Sequence, residues 1–457
     1  MKMNQEIHIN NFRCFKDFNF EMSRVNILIG ENSSGKSSLL KFLLSIKQTL
    51  DDPEISNLIL NGQLVDLGNF KESVYFHKDE EKISFGFMFG EDLLTFFKYF
   101  FYSETGKTTK FKNVKAASKY KTYVYYSVNK ELNNHKKVST KFTNEYLGEV
   151  EIKVLSAKNK NEVEIGDHPV CSVIYNRKSD GQKYTFKDVG YESKGFISSV
   201  FSQDLRSEVK EQKLADEIYF EIAYFLINQN LVEMYFNNLI YLNPLNTSPQ
   251  RFYFKRDAQS SFKKINLDKF ANQVSNSSIS EDDMIEFGEI LSQYGIVDKI
   301  ELHVSNDFPV SEIRVELKDL ISNISDVGYG VALQIPILFE AFLSEHRYGN
   351  LLLIEQPEIH LHPRFQARFI DVLLSMGNKN NYIIETHSEH IVRMLQVLVK
   401  EKKHGIKSSD IKIFYFTREN DSFQVSEHNI LSDGHLDKNF PTGFYDNSYN
   451  LTKSLLF

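Results

Sequence analysis

The sequence predicts an α/β protein whose parallel sheet is interrupted by antiparallel strands and by a helical insertion. Three observations favour this fold class. A mostly apolar run at residues 25–29 leads into a glycine-rich loop and then into a helical pattern. Strand-like segments dominate from Lys82 to about Phe186. In the last third, short apolar runs alternate with helical patterns, which is typical of a parallel sheet with helices on its faces.

The amino-terminal elements follow from the spacing of apolar residues. Alternation at residues 7–9 and phenylalanines up to Phe20 indicate two short strands around a turn. Residues 25–29 suit a buried parallel strand, and residues 37–50 have the apolar spacing of a helix. The chain therefore begins with strands and reaches its first helix through the glycine-rich loop.

The middle and end of the chain give weaker patterns. The Asp180-Gly181 pair is a hairpin signal, residues 208–242 are predicted as one long helix, and the polar residues 260–283 are predicted as a loop. Strands are also predicted at 83–89, 122–128, 150–155, 171–175, 351–354, 382–384 and 411–416. Helices are also predicted at 364–376 and 389–398.

Size, charge and cysteine content narrow the class of protein. The 457 residues allow two or more compact units, and the net charge of -7 argues against a general nucleic-acid coat. Cys14 and Cys171 are too few for a disulfide framework, which fits a reducing cytosol. The first ten residues lack the apolar core of a signal peptide, and no run of about 18 apolar residues occurs. We expect a soluble, cytoplasmic protein with no membrane partner.

The strongest motif follows the strand predicted at residues 25–29. Residues 30–37 fit the pattern G-x-x-x-x-G-K-[ST] between a strand and a helix, the context expected of a phosphate-binding loop. Lys36 would neutralise the β- and γ-phosphates of ATP, and the Ser37 hydroxyl would ligate Mg²⁺. We therefore predict ATP and Mg²⁺ as cofactors. The predicted nucleotide-binding residues of this loop are Asn32, Ser33, Ser34, Gly35, Lys36, Ser37 and Ser38.

A carboxylate is expected at the end of a second apolar strand, because a serine alone holds Mg²⁺ poorly. The run at residues 351–354 ends at Glu355, which we predict as a metal ligand and as part of the catalytic site. In isolation, a strand that ends in a solvated glutamate would be the usual interpretation.

With these motifs the chain resembles the ABC-type ATPases of the SMC, RecF and OLD superfamily. Four stretches carry the resemblance in order and spacing. They are residues 7–40 with Asn11-Phe12-Arg13 ahead of the phosphate loop, 325–330 placed like the signature loop, 354–363 around Glu355, and 384–388 placed like the switch-histidine loop. Residues 433–444 also resemble an uncharacterised C-terminal extension of many bacterial members. Within the superfamily, the general layout is similar to stand-alone ATPases of anti-phage systems such as Septu.

The resemblance implies a head-to-head homodimer that encloses ATP, with further assembly left open. The phosphate loop of one head would face Ser325, Gly328 and Gly330 of the other, because small residues let the opposing backbone reach the γ-phosphate. His387 would sense the γ-phosphate through an imidazole hydrogen bond.

Two further residues are implied by the same resemblance. Arg13 would contact a nucleotide phosphate, although a surface arginine is nearly as good an interpretation. Gln63 would be an additional metal ligand. The implied segments are an ATPase lobe I with the phosphate loop (1–95), its antiparallel β part (96–190), a helical insertion (191–300), and an ATPase lobe II with the C-terminal extension (301–457).

The sequence departs from the family pattern at Gln356, where a glutamate usually acts on the attacking water. An amide can orient a water but cannot take its proton. Three interpretations follow. ATP turnover would be slow, or Glu358 or Glu385 would replace the missing general base, or positioning of the water by Gln356 would be enough for hydrolysis. We predict a slow ATPase. Glu358 with His360 and His362 could also suggest a metal trio, but a structural role is favoured.

The region from Lys98 to Lys141 is rich in lysine and tyrosine and nearly free of acids. Lysines on phosphates and stacking aromatic rings are what single-strand binding needs, although a solvated hairpin face is the preferred interpretation. Its lysines and tyrosines include Lys107, Lys110, Lys112, Lys115, Lys119, Lys121, Lys136, Lys137, Tyr120, Tyr123, Tyr125 and Tyr126.

The sequence patterns are compatible with two functions. The first is a regulatory ATPase that controls an effector encoded nearby, a nuclease, in anti-phage defence. The second is a DNA-repair or DNA-end-binding ATPase, for which nucleic acid would be a partner. A self-contained nuclease of the OLD type is disfavoured, because residues 388–457 lack its acidic cluster. A small-molecule kinase would need neither a signature loop nor a switch histidine.

Overall fold

The structure is a computed structural model. It describes residues 5–52, 58–77, 82–89, 112–129, 138–154, 164–165, 168–194, 197–243, 249–254, 267–275, 279–305, 307–347, 349–419, 422–437, 440 and 453–454. The chain divides into two compact units, the first Met1–Met22 with Ser38–Asn238 and the second Ser23–Ser37 with Leu239–Phe457. The four segments expected from the sequence stay a prediction.

The strands of the described ranges are numbered in chain order. They are β1 (Gln5–Phe12), β2 (Phe15–Met22), β3 (Val25–Gly30), β4 (Lys82–Phe89), β5 (Thr122–Asn129), β6 (Val138–Asn144), β7 (Gly148–Val154), β8 (Glu164–Ile165), β9 (His168–Arg177), β10 (Lys183–Lys194), β11 (Ile197–Val200), β12 (Leu239–Leu242), β13 (Tyr253–Phe254), β14 (Lys299–Val304), β15 (Val310–Leu317), β16 (Leu320–Asn323), β17 (Leu351–Glu355), β18 (Asn381–Glu385), β19 (Ile411–Glu419) and β20 (Ser422–His428).

The helices are numbered in the same way. They are α1 (Lys36–Leu50), α2 (Phe70–Ser73), α3 (Lys112–Ala117), α4 (Ser202–Glu211), α5 (Asp216–Asn237), α6 (Leu267–Ser275), α7 (Glu281–Gln293), α8 (Tyr329–His346), α9 (Pro363–Ser375) and α10 (Glu389–Glu401). Mixed helices and sheets confirm the predicted α/β class. Among the described residues, no helix has the length and apolar character to cross a bilayer.

An antiparallel sheet forms the first unit, with strand order β11-β10-β9-β7-β6-β5-β4-β1-β2 and β8 beside β9. This confirms the predicted β region and the hairpin at Asp180-Gly181, where Gly181 has φ +69°. Along β5 the side chains alternate, so Val124 and Tyr126 are buried while Tyr123 and Tyr125 are half-buried on the other face. The period of two follows from the pleat of a strand.

A buried carboxylate attaches α5 to this sheet. Glu221 is fully buried, and its oxygens accept hydrogen bonds from Asn113 Nδ2 (2.7 Å), Tyr175 Oη (2.8 Å) and Arg177 Nη2 (2.8 Å). Arg177 also contacts Glu217 at 3.1 Å on a more exposed side. A buried charge is tolerated only where such partners satisfy it.

We expect Glu221→Gln to lower the free energy of unfolding by about 3 kcal/mol, because it leaves the Arg177 guanidinium without its buried counter-charge. Denaturant unfolding of the purified chain measures the loss. Glu217→Gln is the matched control, since its partly exposed pair should contribute less than about 1 kcal/mol. Equal losses in the two variants would contradict a special role for burial at Glu221.

The predicted single helix at 208–242 is wrong in two places. Helix α4 ends at Glu211, and Lys213 takes a left-handed φ of +54° before α5 begins. Residues 239–242 are strand β12, which pairs in parallel with β17. This long-range pairing overrides the local helical pattern, which the sequence alone cannot reveal.

A mostly parallel sheet forms the core of the second unit, with strand order β12-β17-β18-β3-β19-β20. Neighbouring strands are parallel except β19 and β20. Every residue of β3 is buried, as expected of a central parallel strand covered on both faces. The strands predicted at 25–29, 351–354, 382–384 and 411–416 are confirmed.

A smaller sheet of β13, β14, β15 and β16 also belongs to the second unit. Helices α6 and α7 occupy residues 267–275 and 281–293, so the loop predicted at 260–283 is wrong for those parts, and residues 255–266 lie outside the described ranges. Ser280 and Asp283 form a capping box that starts α7, while Leu267 and Phe270 bury the face of α6.

Candidate functional site

The carboxyl ends of four neighbouring parallel strands meet at one edge of the sheet in the second unit. Strand β3 ends at Gly30, β17 at Glu355, β18 at Glu385, and β12 directly before Asn243. Glu355 lies opposite Glu385 in the register of β17 and β18. In open α/β sheets this edge is where ligands bind.

The phosphate loop follows β3 with a backbone that glycine makes possible. Gly30 has φ +139°, and a Cβ there would lie 2.0 Å from the carbonyl oxygen of Phe416 on the neighbouring strand β19. Gly35 has φ +108° and Ser33 has φ +61°. The loop therefore curls away from the strand as the sequence motif predicts, and Gly30 admits no side chain.

Lys36 begins helix α1 and lies across this loop. Its side chain is 3% exposed, and Nζ donates hydrogen bonds to the carbonyl oxygens of Gly30 (3.0 Å) and Glu31 (2.7 Å). The pKa of Lys36 is lowered overall because burial outweighs the opposing effect of the negative charges of Glu385 and Glu31. In the same loop, the Ser34 hydroxyl is buried and has no hydrogen-bond partner. A buried ammonium and an unpartnered hydroxyl fit an anionic ligand such as a phosphate.

Ser37, the next residue of α1, contacts an acid that the sequence motif does not single out. The Ser37 hydroxyl donates to Glu385 Oε1 at 3.0 Å. Glu385 is 3% exposed, and its Oε2 has no hydrogen-bond partner. Burial is the main cause that raises the pKa of Glu385 to about 7; the charges of Glu355 and Glu358 act in the same direction, whereas the Ser37 hydrogen bond and the Lys36 charge oppose the rise.

Glu355 is oriented by a residue that the sequence analysis missed. Asn243 Nδ2 donates to Glu355 Oε2 at 2.8 Å and also bonds the Tyr241 hydroxyl at 2.9 Å. Burial raises the pKa of Tyr241, and the Glu355 charge raises it further. A polar residue directly after the apolar strand at 239–242 was the available signal, but those residues were assigned to a helix.

Glu358 holds the switch-histidine loop. Its Oε2 accepts from the Thr386 hydroxyl at 2.8 Å and its Oε1 accepts from the backbone N–H of His387 at 2.6 Å. Burial raises the pKa of Glu358. Both carboxylate oxygens are thus engaged by the loop that carries His387, an arrangement that suits positioning more than proton transfer.

His387 and Gln356 lie on loops that follow neighbouring strands. His387 is an exposed residue, but its imidazole is partly shielded from water. This partial burial, and then the Lys36 charge, lowers the pKa of His387, which favours a neutral ring at neutral pH. Gln356 has a left-handed φ of +41°, and its backbone N–H donates to the Glu385 carbonyl oxygen at 2.7 Å. Such a conformation is uncommon for a residue other than glycine and is found at functional sites.

The predicted signature loop begins with a short 3-10 turn, Ile324–Asp326, in the second unit. Asn323 Oδ1 accepts from the Ser325 backbone N–H at 2.9 Å, and Asp326 pairs with Arg251 at 2.6 Å. These contacts fix the turn before helix α8. Gly328 precedes that helix without a side-chain cap, and no acidic residue occupies the first turn.

The two glycines of the signature loop differ in their surroundings. A Cβ on Gly328 would meet nothing within 4 Å, whereas a Cβ on Gly330 would lie 2.5 Å from the carbonyl oxygen of His360. Gly330 is therefore needed where α8 packs against the loop after β17. Gly328 borders open space.

Three predicted residues lie in the first unit. Ser38 follows Ser37 in α1, Arg13 donates from Nη2 to the carbonyl oxygen of Leu67 at 3.4 Å, and Gln63 is exposed in a turn. Their contacts with nucleotide or metal stay predictions. The metal trio considered for Glu358, His360 and His362 is not formed, because no group of three His, Cys, Asp or Glu among the described residues could hold a metal ion.

The lysine-rich region is only partly described, since Lys107, Lys110, Lys136 and Lys137 lie outside the described ranges. Lys121 pairs with Glu6, and Lys141 pairs with Glu149 at 2.9 Å. Tyr126 is buried, while Tyr120 is exposed and stacks on Tyr146. Part of the positive charge is thus balanced by carboxylates, which favours a solvated face over a phosphate track.

The fold and the phosphate loop define a phosphate-loop nucleotide-binding protein. Residues 1–392 match the model described as AAA ATPase domain (AAA_15), and the chain belongs to that family. It therefore carries an ATPase domain, which implies ATP binding. Residues 406–455 match a second family, described as protein of unknown function DUF3696, in the region where a C-terminal extension was predicted. No curated protein sequence matches the chain.

Solved structures of SMC heads are similar to the chain at low identity. The SMC head bound to the C-winged helix domain of ScpA is 11% identical, with a TM-score of 0.42 over 94% of this chain and 99% of that chain. The SMC head domain from Thermotoga maritima is 9% identical, with a TM-score of 0.37 over 93% and 98%. The head from Pyrococcus furiosus with an extended coiled coil, bound to the C-terminal domain of ScpA, is 9% identical, with a TM-score of 0.40 over 100% of both chains.

Proposed function

We propose that this chain is an ABC-type ATPase that closes into a head-to-head homodimer on ATP and thereby controls a partner effector, a nuclease, in anti-phage defence. The observation that supports the ATPase part is the shared edge of the sheet, where Lys36, Ser37, Glu355 and the His387 loop lie at the ends of adjacent strands. The defence role rests on the likeness in layout to Septu-type ATPases.

The residues present fit Mg²⁺, because the donors at this edge are oxygens and one of them, Glu385 Oε2, is buried without a partner. Ser37 and Glu355 would hold the ion, which would neutralise phosphate charge. Lys36 binds the β- and γ-phosphates through its ammonium. Gln356 orients the attacking water without accepting its proton, so we expect slow turnover.

The switch-histidine loop would sense the γ-phosphate by a direct contact. A neutral His387 imidazole donates one hydrogen bond to a γ-phosphate oxygen, and Glu358 keeps the loop in place through Thr386 and the His387 backbone. Glu358 is therefore assigned as a positioning residue. Arg13 and Gln63 keep their proposed contacts with a phosphate and with the metal.

The second head would bind the same nucleotide through the start of α8. This helix begins with no side-chain cap and no acidic residue in its first turn, so its N–H groups favour an anion. Gly328 leaves the approach open. The Ser325 hydroxyl donates to Asp326 Oδ1 at 3.3 Å and would supply a further donor by turning to the phosphate. Gly330, in contrast, has a structural role within its own chain, because it allows α8 to approach the His360 backbone closely.

Gly328→Ala tests the dimer without disturbing the fold. Its backbone, at φ -52° and ψ 128°, accepts alanine, and the methyl group enters open space. We expect ATP-dependent dimerisation to weaken at least about tenfold, a cost of roughly 1.4 kcal/mol, because the methyl would separate the partner's γ-phosphate from the helix start. Light scattering on a size-exclusion column, with and without ATP and Mg²⁺, measures the change.

Gly288→Ala is the matched control, since it adds the same methyl to helix α7, where the nearest atom would be at an ordinary 3.9 Å. Gly288→Ala should unfold at or slightly above the wild-type temperature, and Gly328→Ala slightly below it, because alanine is a poorer N-cap than glycine. If Gly328→Ala forms the ATP-dependent dimer as readily as Gly288→Ala, the signature loop does not face a nucleotide in the partner.

The alternative function, DNA repair or DNA-end binding, has its own support in the exposed Lys112, Lys115 and Lys119 and in the stacked Tyr120 and Tyr146. Stimulation of turnover by DNA would favour it. A gene for an HNH nuclease beside this one would favour the regulatory function.

A further inference from the structure

Glu385 has a geometry that the phosphate-loop motif does not explain. It ends strand β18, between β3 and β17, and one carboxylate oxygen accepts a hydrogen bond from the Ser37 hydroxyl. The other oxygen is buried and has no hydrogen-bond partner. An ionised carboxylate in that position is costly unless a cation or a donor satisfies it.

The nearest protein cation does not serve this purpose. The Lys36 ammonium directs its hydrogen bonds to the carbonyl oxygens of Gly30 and Glu31 in the phosphate loop. Glu355, the carboxylate opposite in register, adds negative charge, and Asn243 already bonds its Oε2. The Oε2 atom of Glu385 is therefore the carboxylate oxygen at this edge that most lacks a positively charged partner.

We propose that Glu385 is a direct ligand of the catalytic Mg²⁺, sharing the ion with Ser37 and Glu355, and is not a substitute base for Gln356. This inference rests on the proposed function only through the nucleotide-bound metal. A Ser37 hydroxyl and two carboxylates would give the hard, all-oxygen ligand set that Mg²⁺ prefers, and phosphate oxygens and water would supply the remaining ligands. The Ser37–Glu385 contact of 3.0 Å brings two of these donors within reach of one ion.

A Mg²⁺ titration of nucleotide affinity tests the assignment. A fluorescent ATP analogue is bound to wild type and to Glu385→Gln, first in EDTA and then at rising Mg²⁺. Without metal we expect similar affinities, within about threefold, because Lys36 and the loop are intact. With metal, we expect the variant to need at least about tenfold more Mg²⁺ to reach half of the maximal increase in nucleotide affinity. The reason is that an amide is a weaker ligand than a carboxylate.

Thermal unfolding gives a readout that does not depend on turnover. In EDTA, Glu385→Gln should unfold at or above the wild-type temperature, because it removes a buried and half-satisfied charge. With Mg²⁺ and nucleotide, wild type should gain more stability than the variant. Glu401→Gln, a change on the surface end of α10, is the control and should match wild type throughout.

Glu385→Asp is the second variant for the same titration, in case Glu385→Gln folds poorly. Aspartate keeps the negative charge but withdraws the carboxylate by one methylene group. It should also require more Mg²⁺. Wild-type Mg²⁺ dependence in both variants would overturn the assignment. Nucleotide binding by a single chain does not require the dimer, so a chain that never dimerises would refute the proposed function and leave this test intact.

Discussion

Lys36→Ala is expected to lower the affinity for ATP at least about 100-fold, equivalent to about 2.7 kcal/mol. The ammonium supplies the positive charge of the loop, and its bonds to Gly30 and Glu31 also hold the loop in its curled form. Both contributions disappear together in the variant. Isothermal titration of the purified chain with ATP and Mg²⁺ measures the change.

Lys41→Ala, five residues further along α1, is the matched control, because it removes a lysine from the same helix outside the phosphate loop. It should bind ATP like wild type. Circular dichroism of both variants establishes that the fold is intact. ATP affinity retained in Lys36→Ala would remove the phosphate-loop assignment, on which the proposed ATP-driven dimer depends.

Gln356→Glu is expected to raise the turnover number by about 100-fold, at the lower end of what general-base help contributes. Glutamate has the same size as glutamine, and the backbone hydrogen bond from residue 356 to the Glu385 carbonyl oxygen does not involve the side chain. The substitution therefore adds a proton acceptor at the place where we propose that the attacking water is oriented. Steady-state phosphate release gives the rate.

Gln424→Glu, on the exposed side of β20, controls for the added negative charge and should leave the rate unchanged. A rate in Gln356→Glu equal to wild type would contradict the proposal that the missing base limits turnover. In that case either another group takes the proton or a step other than bond cleavage is slow.

Local patterns were sufficient for the elements that carry the phosphate loop. The strand at 25–29 and the helix after Lys36 were predictable because an apolar run, glycines and a helical repeat stand next to each other in the chain. The strands that end at Glu355 and Glu385 were predictable from length and apolar character. These signals need no knowledge of distant residues.

Residues whose roles arise from long-range pairing could not be predicted in the same way. Asn243 reaches Glu355 only because β12 pairs with β17, and the four residues of β12 follow a helix without a break that the sequence reveals. The orphaned oxygen of Glu385 depends likewise on β18 lying between β17 and β3. Neither relation can be read from spacing along the chain.

The close approach of Gly330 to His360 has a consequence for communication between nucleotides. The helix start that would touch a partner's nucleotide packs closely against the loop that carries Gln356 and Glu358, and this loop would lie beside the chain's own nucleotide. In a closed dimer, a shift at one γ-phosphate would be transmitted through this rigid contact to the other. The ATP concentration dependence of such a dimer would be cooperative, with a Hill coefficient above one.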